Sequence, residues 1–198
     1  MSTLTTRPNT EHGDRTTALG NEILRTVVGS GVHGIAIEGT DDHDEMGVFV
    51  EPPAHVIGLD IARVTRDAQP TEHYVYRTKP EGERSGPGDT DLVVYSLRKF
   101  LRLAAKGNPT MLVPLFAPAP DVLVTSAIGQ ELRDLGPSTL SQHAVHRFLA
   151  YSRAQRDRIT GVSSRHGMPN RPELVAAHGY DTKYASHALR LAIQGHEV

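Results

Sequence analysis

The stretch RTVVGSGVHGIAIEGTDDHDEMGVFV, residues 25–50, constrains this chain more than any other. A β-branched run (Thr26, Val27, Val28) ends in the small pair Gly29-Ser30. Eleven residues later Asp42-His43-Asp44 leads into the apolar run Met46 to Val50. Short apolar runs of this kind suit strands, and two carboxylates at i and i+2 on a strand point to the same face. Such a pair repels itself unless a cation sits between, and a divalent metal with oxygen ligands is the usual answer. Gly29-Ser30 at a strand end offers backbone N–H groups to an anion such as a phosphate. A phosphate cradle beside a metal clamp suggests chemistry on a nucleotide. The competing reading is a charged turn, because residues 41–45 are a run of acids that water alone can solvate. The apolar strand that follows and the Gly-Ser pair that precedes argue against it.

Bulk properties narrow the class. With 198 residues the chain is long enough for a real core, in one domain or one domain with a helical appendage. A formal net charge of −2 gives no reason to expect tight nonspecific nucleic-acid binding, so any such contact needs a local patch. The absence of cysteine excludes disulfides, thiolate metal sites and cysteine nucleophiles together. No apolar run reaches the ~20 residues of a membrane helix, and the N-terminus lacks a signal-peptide core. The expectation is a soluble, cytoplasmic protein with no membrane association.

Taken in order, residues 1–17 read as a flexible polar tail. A short helix over 18–24 leads into a strand over 25–28, then a short helix or turn over 31–37 and a turn over 38–41. The strand over 46–50 stops at Pro52-Pro53, because proline cannot donate to a ladder. Residues 54–68 are ambiguous. HYVYR at 73–77 reads as a strand, the Gly- and Pro-rich 78–90 as a mobile loop able to act as a lid, and 91–94 as another strand. The clearest helix is 95–106, with Leu97, Phe100, Leu101 and Ala104 on one face and Gly107 as its C′ residue. A short apolar element covers 110–116. Further helices are expected at 127–135, 138–159, 172–178 (closed by Gly179) and 180–194. Strands with helices first, then helices alone, indicate an α+β fold. The divisions expected are the tail at 1–17, a catalytic core at 18–120 and a helical region at 121–198 packed on that core.

The pattern GS, eleven residues, then DHD in an apolar frame resembles the signature of the nucleotidyltransferase superfamily that includes DNA polymerase beta. The later blocks DLVVYSLRKFLRLAAKGNP, FLAYSRAQRDRITG, RPEL and GYDTKYASHALRL are similar to a family of predicted nucleotidyltransferases from bacteria and phages. The likeness runs from about Leu24 to the end of the sequence. It implies a small mixed-sheet, polymerase-beta-like core followed by a helical half. It also implies Asp42 and Asp44 as metal ligands, with a third acid on a later strand, where Asp91 of DTDLVVY fits. Three carboxylates around two Mg²⁺ (or Mn²⁺) ions match two-metal phosphoryl transfer.

The implied reaction moves an NMP from an NTP to an acceptor hydroxyl with release of pyrophosphate. Asp42, Asp44 and Asp91 are catalytic, and Gly29 and Ser30 bind the nucleotide phosphates. On the last helix Lys183, His187 and Arg190 share a face at i, i+4, i+7, which by spacing alone is as readily a solvated basic stripe. The resemblance makes Lys183 the candidate for triphosphate charge, with His187 its weaker partner. His43 is expected to alternate to the opposite face. Asp41 and Glu45 are read as flanking solvated charge, with Asp41 the alternative ligand if the register shifts. The remaining histidines show no zinc-ligand spacing.

Two departures stand out. The family tends to carry a glutamate where this chain has Val113-Pro114, and its members are expected to continue past Val198. The rival expectation is a non-catalytic nucleotide-binding or regulatory module of the same fold. The acceptor is open at this stage among an RNA end, a protein hydroxyl and a small molecule, as are the oligomeric state and the nucleobase.

Overall fold

Alternating burial writes the sheet into the chain. In the computed structural model, which describes residues 9–34, 42–57, 72–83, 85–159 and 171–198, Leu92, Val94 and Ser96 are buried at every second position of one strand. The strands are β1 (Thr10–His12), β2 (Glu22–Val27), β3 (His43–Phe49), β4 (His73–Arg77), β5 (Thr90–Ser96) and β6 (Val122–Thr125). They form one mixed sheet in the order β1-β4-β5-β3-β2-β6. β3 and β5 run parallel, and the other neighbours are antiparallel. The helices are α1 (Arg15–Gly20), α2 (Gly29–Val32), α3 (Pro53–Ile57), α4 (Leu97–Ala104), α5 (Pro109–Phe116), α6 (Ala127–Asp134), α7 (Gln142–Ile159), α8 (Pro172–His178) and α9 (Thr182–Glu197). This is the α+β class expected, with a mixed sheet first and helices after.

The chain forms two compact units. One comprises Met1–Arg102 with Val113–Gly136, and the other Leu103–Leu112 with Pro137–Val198. In the first, one core cluster joins Ala18 of α1 to Phe49, Tyr74, Leu92 and Val94 on three strands. Each large side chain buried this way stabilises the fold by about 1.5–3 kcal/mol.

Several boundaries differ from the sequence reading, for physical reasons. α1 begins at Arg15 because Asp14 caps it, accepting from the Thr17 N–H at 3.0 Å. Residues 22–24, expected in a helix, belong to β2, where β3 pairs with Glu22 and Leu24 and β6 pairs with Leu24 from the other side. The expected tail contains β1, an edge strand on β4, while residues 1–8 lie outside the described residues. Tyr95 and Ser96 remain in β5, held by pairing to His73 and Phe49, so α4 starts at Leu97. Phe100 is buried on α4 but Leu101 is exposed. The strand β6 was not expected, although its run Val122-Leu123-Val124-Thr125 has strand chemistry. Residues 35–41, which hold the end of the expected helix or turn over 31–37 and the turn over 38–41, and residues 58–68 of the ambiguous stretch over 54–68 fall outside the described residues.

In the second unit α7 and α9 pack along each other. Phe148 and Leu191 are buried, and the Ser152 hydroxyl donates to the Ala188 carbonyl at 3.0 Å. Gly195 permits the approach: a Cβ there would lie 2.8 Å from the Phe148 Cβ. Gly107, at φ +64°, lies against the Ala144 backbone where no Cβ fits, and its N–H donates to Ala104 O at 2.7 Å. α8 closes on left-handed Gly179 as expected. α9 then starts at Thr182, because Asp181 accepts from the N–H groups of Lys183 and Tyr184. Among the described residues no helix is long and apolar enough to cross a membrane.

Candidate metal centre

Parallel pairing of β3 with β5 sets Asp44 directly across from Asp91. Asp42 stands just ahead of β3, and one oxygen from each of the three carboxylates lies within 4.8 Å of the others. All three residues are half-buried. The start of β3 is fixed from both sides. The His43 N–H donates to Asp89 O at 2.8 Å, and the Val28 N–H donates to Asp44 O at 2.9 Å. Gly29 follows at φ +70°, and a Cβ on it would overlap Asp44 Oδ2 and sit 3.0 Å from Asp44 Cγ. Glycine is therefore required at 29 on two counts, the left-handed backbone and the carboxylate pressed against it. Ser30 is next to it in α2, half-buried.

The two oxygens of Asp91 have different surroundings. Oδ2 accepts from the Ser85 hydroxyl at 2.9 Å and faces Lys79 Nζ at 3.5 Å and Arg77 Nε at 3.6 Å. Lys79 Nζ also donates to Ser85 Oγ. Oδ1 is buried with no hydrogen-bond partner. Leaving such an acceptor unsatisfied costs about 1–3 kcal/mol, which a cation at that point would recover.

Lys79, Ser85 and Arg77 were not singled out from the sequence. The two loop residues sit in what read as a solvated lid, yet Lys79 is only 7 % exposed. The loop folds onto itself: the Thr78 hydroxyl donates to Asp89 Oδ1 at 3.1 Å, and the Gly86 N–H donates to Asp89 Oδ2 at 2.9 Å. The signal that was available is the spacing of Arg77 and Lys79 at i, i+2 beside a strand. Only the antiparallel register, Arg77 opposite Asp91, reveals what they face.

The neighbouring face of β3 carries a separate network. His43 is half-exposed, with Nε2 3.1 Å from Glu45 Oε1. Glu45, expected to be solvated, is paired instead: Arg25 donates to its Oε2 at 3.2 Å and makes a bidentate contact to Glu22 at 2.6 and 2.9 Å. Those bonds, Glu22's foremost, hold the Arg25 guanidinium above its ordinary pKa against the cost of burial. Asp41 lies outside the described residues.

Lys183 and His187 stand on α9 in the second unit, whereas the three acids belong to the first. Lys183 is exposed and His187 half-buried. Tyr184 between them is flanked by the guanidiniums of Arg158 and Arg171, each 5.5 Å from its ring centre. Val113-Pro114 lies within α5, with Pro114 fully buried.

An all-carboxylate donor set with one buried, unpartnered oxygen fits a hard divalent cation of the Mg²⁺ or Mn²⁺ type and not a soft one. Comparison with protein families returns a match over residues 13–198 to a model described as the RNA repair pathway DNA polymerase beta family. Neither the curated proteins nor the solved structures give a significant match.

Proposed function

The chain belongs to the RNA repair pathway DNA polymerase beta family, and from that premise we propose that it is a metal-dependent nucleotidyltransferase. It moves an NMP from an NTP to an acceptor hydroxyl and releases pyrophosphate. The observation that carries this reading is the convergence of Asp42, Asp44 and Asp91, the last of which keeps one buried oxygen without a hydrogen-bond partner. These three residues would hold the cations. When bound, Mg²⁺ or Mn²⁺ supplies charge neutralisation for the phosphates and acidifies the acceptor hydroxyl.

The chain's own residues do the rest. Gly29 and Ser30 contact the β- and γ-phosphates through backbone N–H and hydroxyl, and the glycine leaves room beside them for the Asp44 carboxylate. The acceptor oxygen forms a bond to the α-phosphorus. The bond from that phosphorus to the β-bridging oxygen breaks, and pyrophosphate leaves with the electron pair. The hydroxyl proton leaves to solvent, with Asp91 helping through the cation it would hold. The family resemblance makes Lys183, with His187 as its weaker partner, the candidate for triphosphate charge. Among the three acceptors the family's description favours an RNA end, so we take a 3′-hydroxyl of RNA as the acceptor.

A second reading, a non-catalytic nucleotide-binding module, draws on Lys79 and Arg77, which already neutralise Asp91. The two separate in one experiment. Each of four labelled NTPs is incubated with Mg²⁺ or Mn²⁺ and RNA ending in a 3′-hydroxyl, a 3′-phosphate-blocked control, and protein and small-molecule fractions. Label on the 3′-hydroxyl RNA with equimolar pyrophosphate is expected. Asp42→Asn and Asp44→Asn each lower the rate by at least about 10³-fold with unchanged thermal melting. Full activity in both variants would sink the assignment, and nucleotide binding without pyrophosphate would favour the module.

A further inference from the structure

Lys79 is a buried cation whose position the transfer reaction leaves unexplained. It follows β4 in a polar loop, a place where lysine normally reaches water. Instead its side chain is 9 % exposed and its ammonium lies 3.5 Å from Asp91 Oδ2. Its backbone is pinned as well: the buried Thr10 hydroxyl donates to Lys79 O at 2.8 Å. The Ser85 hydroxyl, bonded to both Lys79 and Asp91, closes the arrangement. The lysine is built in beside the carboxylate.

We infer that Lys79 is a positioning residue, acting through Asp91, that keeps the metal site weak until a nucleotide arrives. The inference rests on the nucleotidyltransferase reading of the same site. Lys79 and Arg77 set two positive charges against Asp91, one of the three converging carboxylates, and so lower the site's hold on a dication. The phosphates of an NTP supply the missing negative charge, so cation and nucleotide enter together. Of the two cations Lys79 dominates, because Arg77's side chain is 40 % exposed and its charge is screened by water. Lys79 also ties up Oδ2 and leaves Oδ1 as the ligating atom. Its effect is thus to fix which oxygen binds and to oppose binding until phosphate is present. A lysine that merely fastened the loop would have the first consequence without the second.

The test is Mn²⁺ binding read by electron paramagnetic resonance, with and without a non-hydrolysable NTP analogue. It uses the full-length protein and the variants Lys79→Met, Lys79→Arg and Ser85→Ala. Removing one positive charge a few ångströms from a dication tightens nucleotide-free Mn²⁺ binding by about tenfold at moderate salt. Lys79→Met should show that gain, and the tightening caused by the analogue should shrink by the same factor. Lys79→Arg keeps the charge and stays within about threefold of wild type, and Ser85→Ala does not reproduce the gain. If Lys79→Met melts early, Lys79→Gln removes the charge while retaining a donor for Ser85, and is read the same way.

Equal or weaker Mn²⁺ binding by the neutral variant overturns the inference, as does undiminished coupling to the analogue. Wild-type protein that binds no Mn²⁺ even with the analogue overturns the nucleotidyltransferase reading itself. Mn²⁺ binding that follows the expected pattern without transfer to any acceptor removes the transfer reading and leaves the role of Lys79 standing.

Discussion

Replacing Gly29 by alanine tests the site's construction most directly, because two separable costs meet at one position. The backbone stands at φ +70°, where an L side chain loses about 1–2 kcal/mol. The added Cβ would also overlap Asp44 Oδ2, with Cγ at 3.0 Å and Asp44 Cβ at 3.1 Å, so the carboxylate must swing away by roughly 1 Å to restore ordinary contact. Asp44 cannot yield by moving its backbone, since its carbonyl accepts from Val28 and it pairs with Asp91 across the sheet. A displacement of that size at a reacting centre costs about 10²-fold in rate. The stability loss, about 2–3 kcal/mol with rotamer strain included, lowers the melting temperature by roughly 4–12 °C.

Gly34→Ala isolates the backbone contribution. Gly34 stands at φ +63° with nothing within 4 Å of its Cβ position, so it takes the strain and leaves Asp44 alone. Steady-state pyrophosphate release, Mn²⁺ binding and thermal melting are measured on both variants. Gly29→Ala should lose rate and metal affinity as well as stability, and Gly34→Ala stability only. Wild-type rate and Mn²⁺ affinity in Gly29→Ala, or equal losses of rate in the two, would refute the argument that Gly29 exists to admit Asp44.

Arg25→Met should cost about 3–5 kcal/mol in urea unfolding, because Glu22 and Glu45, with side chains 5 % and 14 % exposed, would face each other without their cation. Adding Glu22→Gln should recover part of that loss, and a single variant as stable as wild type would show the network to be solvated after all. Tyr74, buried and donating to Glu11 Oε1 at 2.7 Å, has its phenol pushed up to about 12, chiefly by burial and then by that bond. A folded pKa above the unfolded value near 10 contributes stability that is complete below pH 10 and lost as pH rises toward 12. The urea midpoint should therefore fall between pH 9.5 and 11.5, and Tyr74→Phe, about 1 kcal/mol less stable at neutral pH, should show a shallower fall. Equal alkaline slopes in the two proteins would rule Tyr74 out as the cause.

Much of this protein is legible one residue at a time. The α+β class follows from short apolar runs succeeded by helical periodicity. The helix ends at Gly107 and Gly179 follow from what glycine alone does at a left-handed C′ position. The acids Asp42, Asp44 and Asp91 stand out because unlike residues surround them: an apolar frame after the first two and a strand after the third. Local chemistry of this kind needs no partner to be read.

Partner-dependent features were not legible. Residues 22–24 have no local reason to prefer a strand over a helix until β3 and β6 flank them, and residues 10–12 read as tail until β4 offers its edge. Glu45 looked solvated because Arg25 is twenty positions away in sequence, and Lys79 looked like a loop charge because Asp91 is twelve. Period and capping are encoded within a turn or two of chain. Register and ion-pair partners are chosen by burial and charge between segments far apart in sequence. The sequence by itself therefore determined the chemistry available: three acids, a Gly-Ser pair and a hard cation's donor set. Only the tertiary structure, through the parallel pairing of β3 with β5, decided that Asp44 faces Asp91 and that a buried lysine stands beside it.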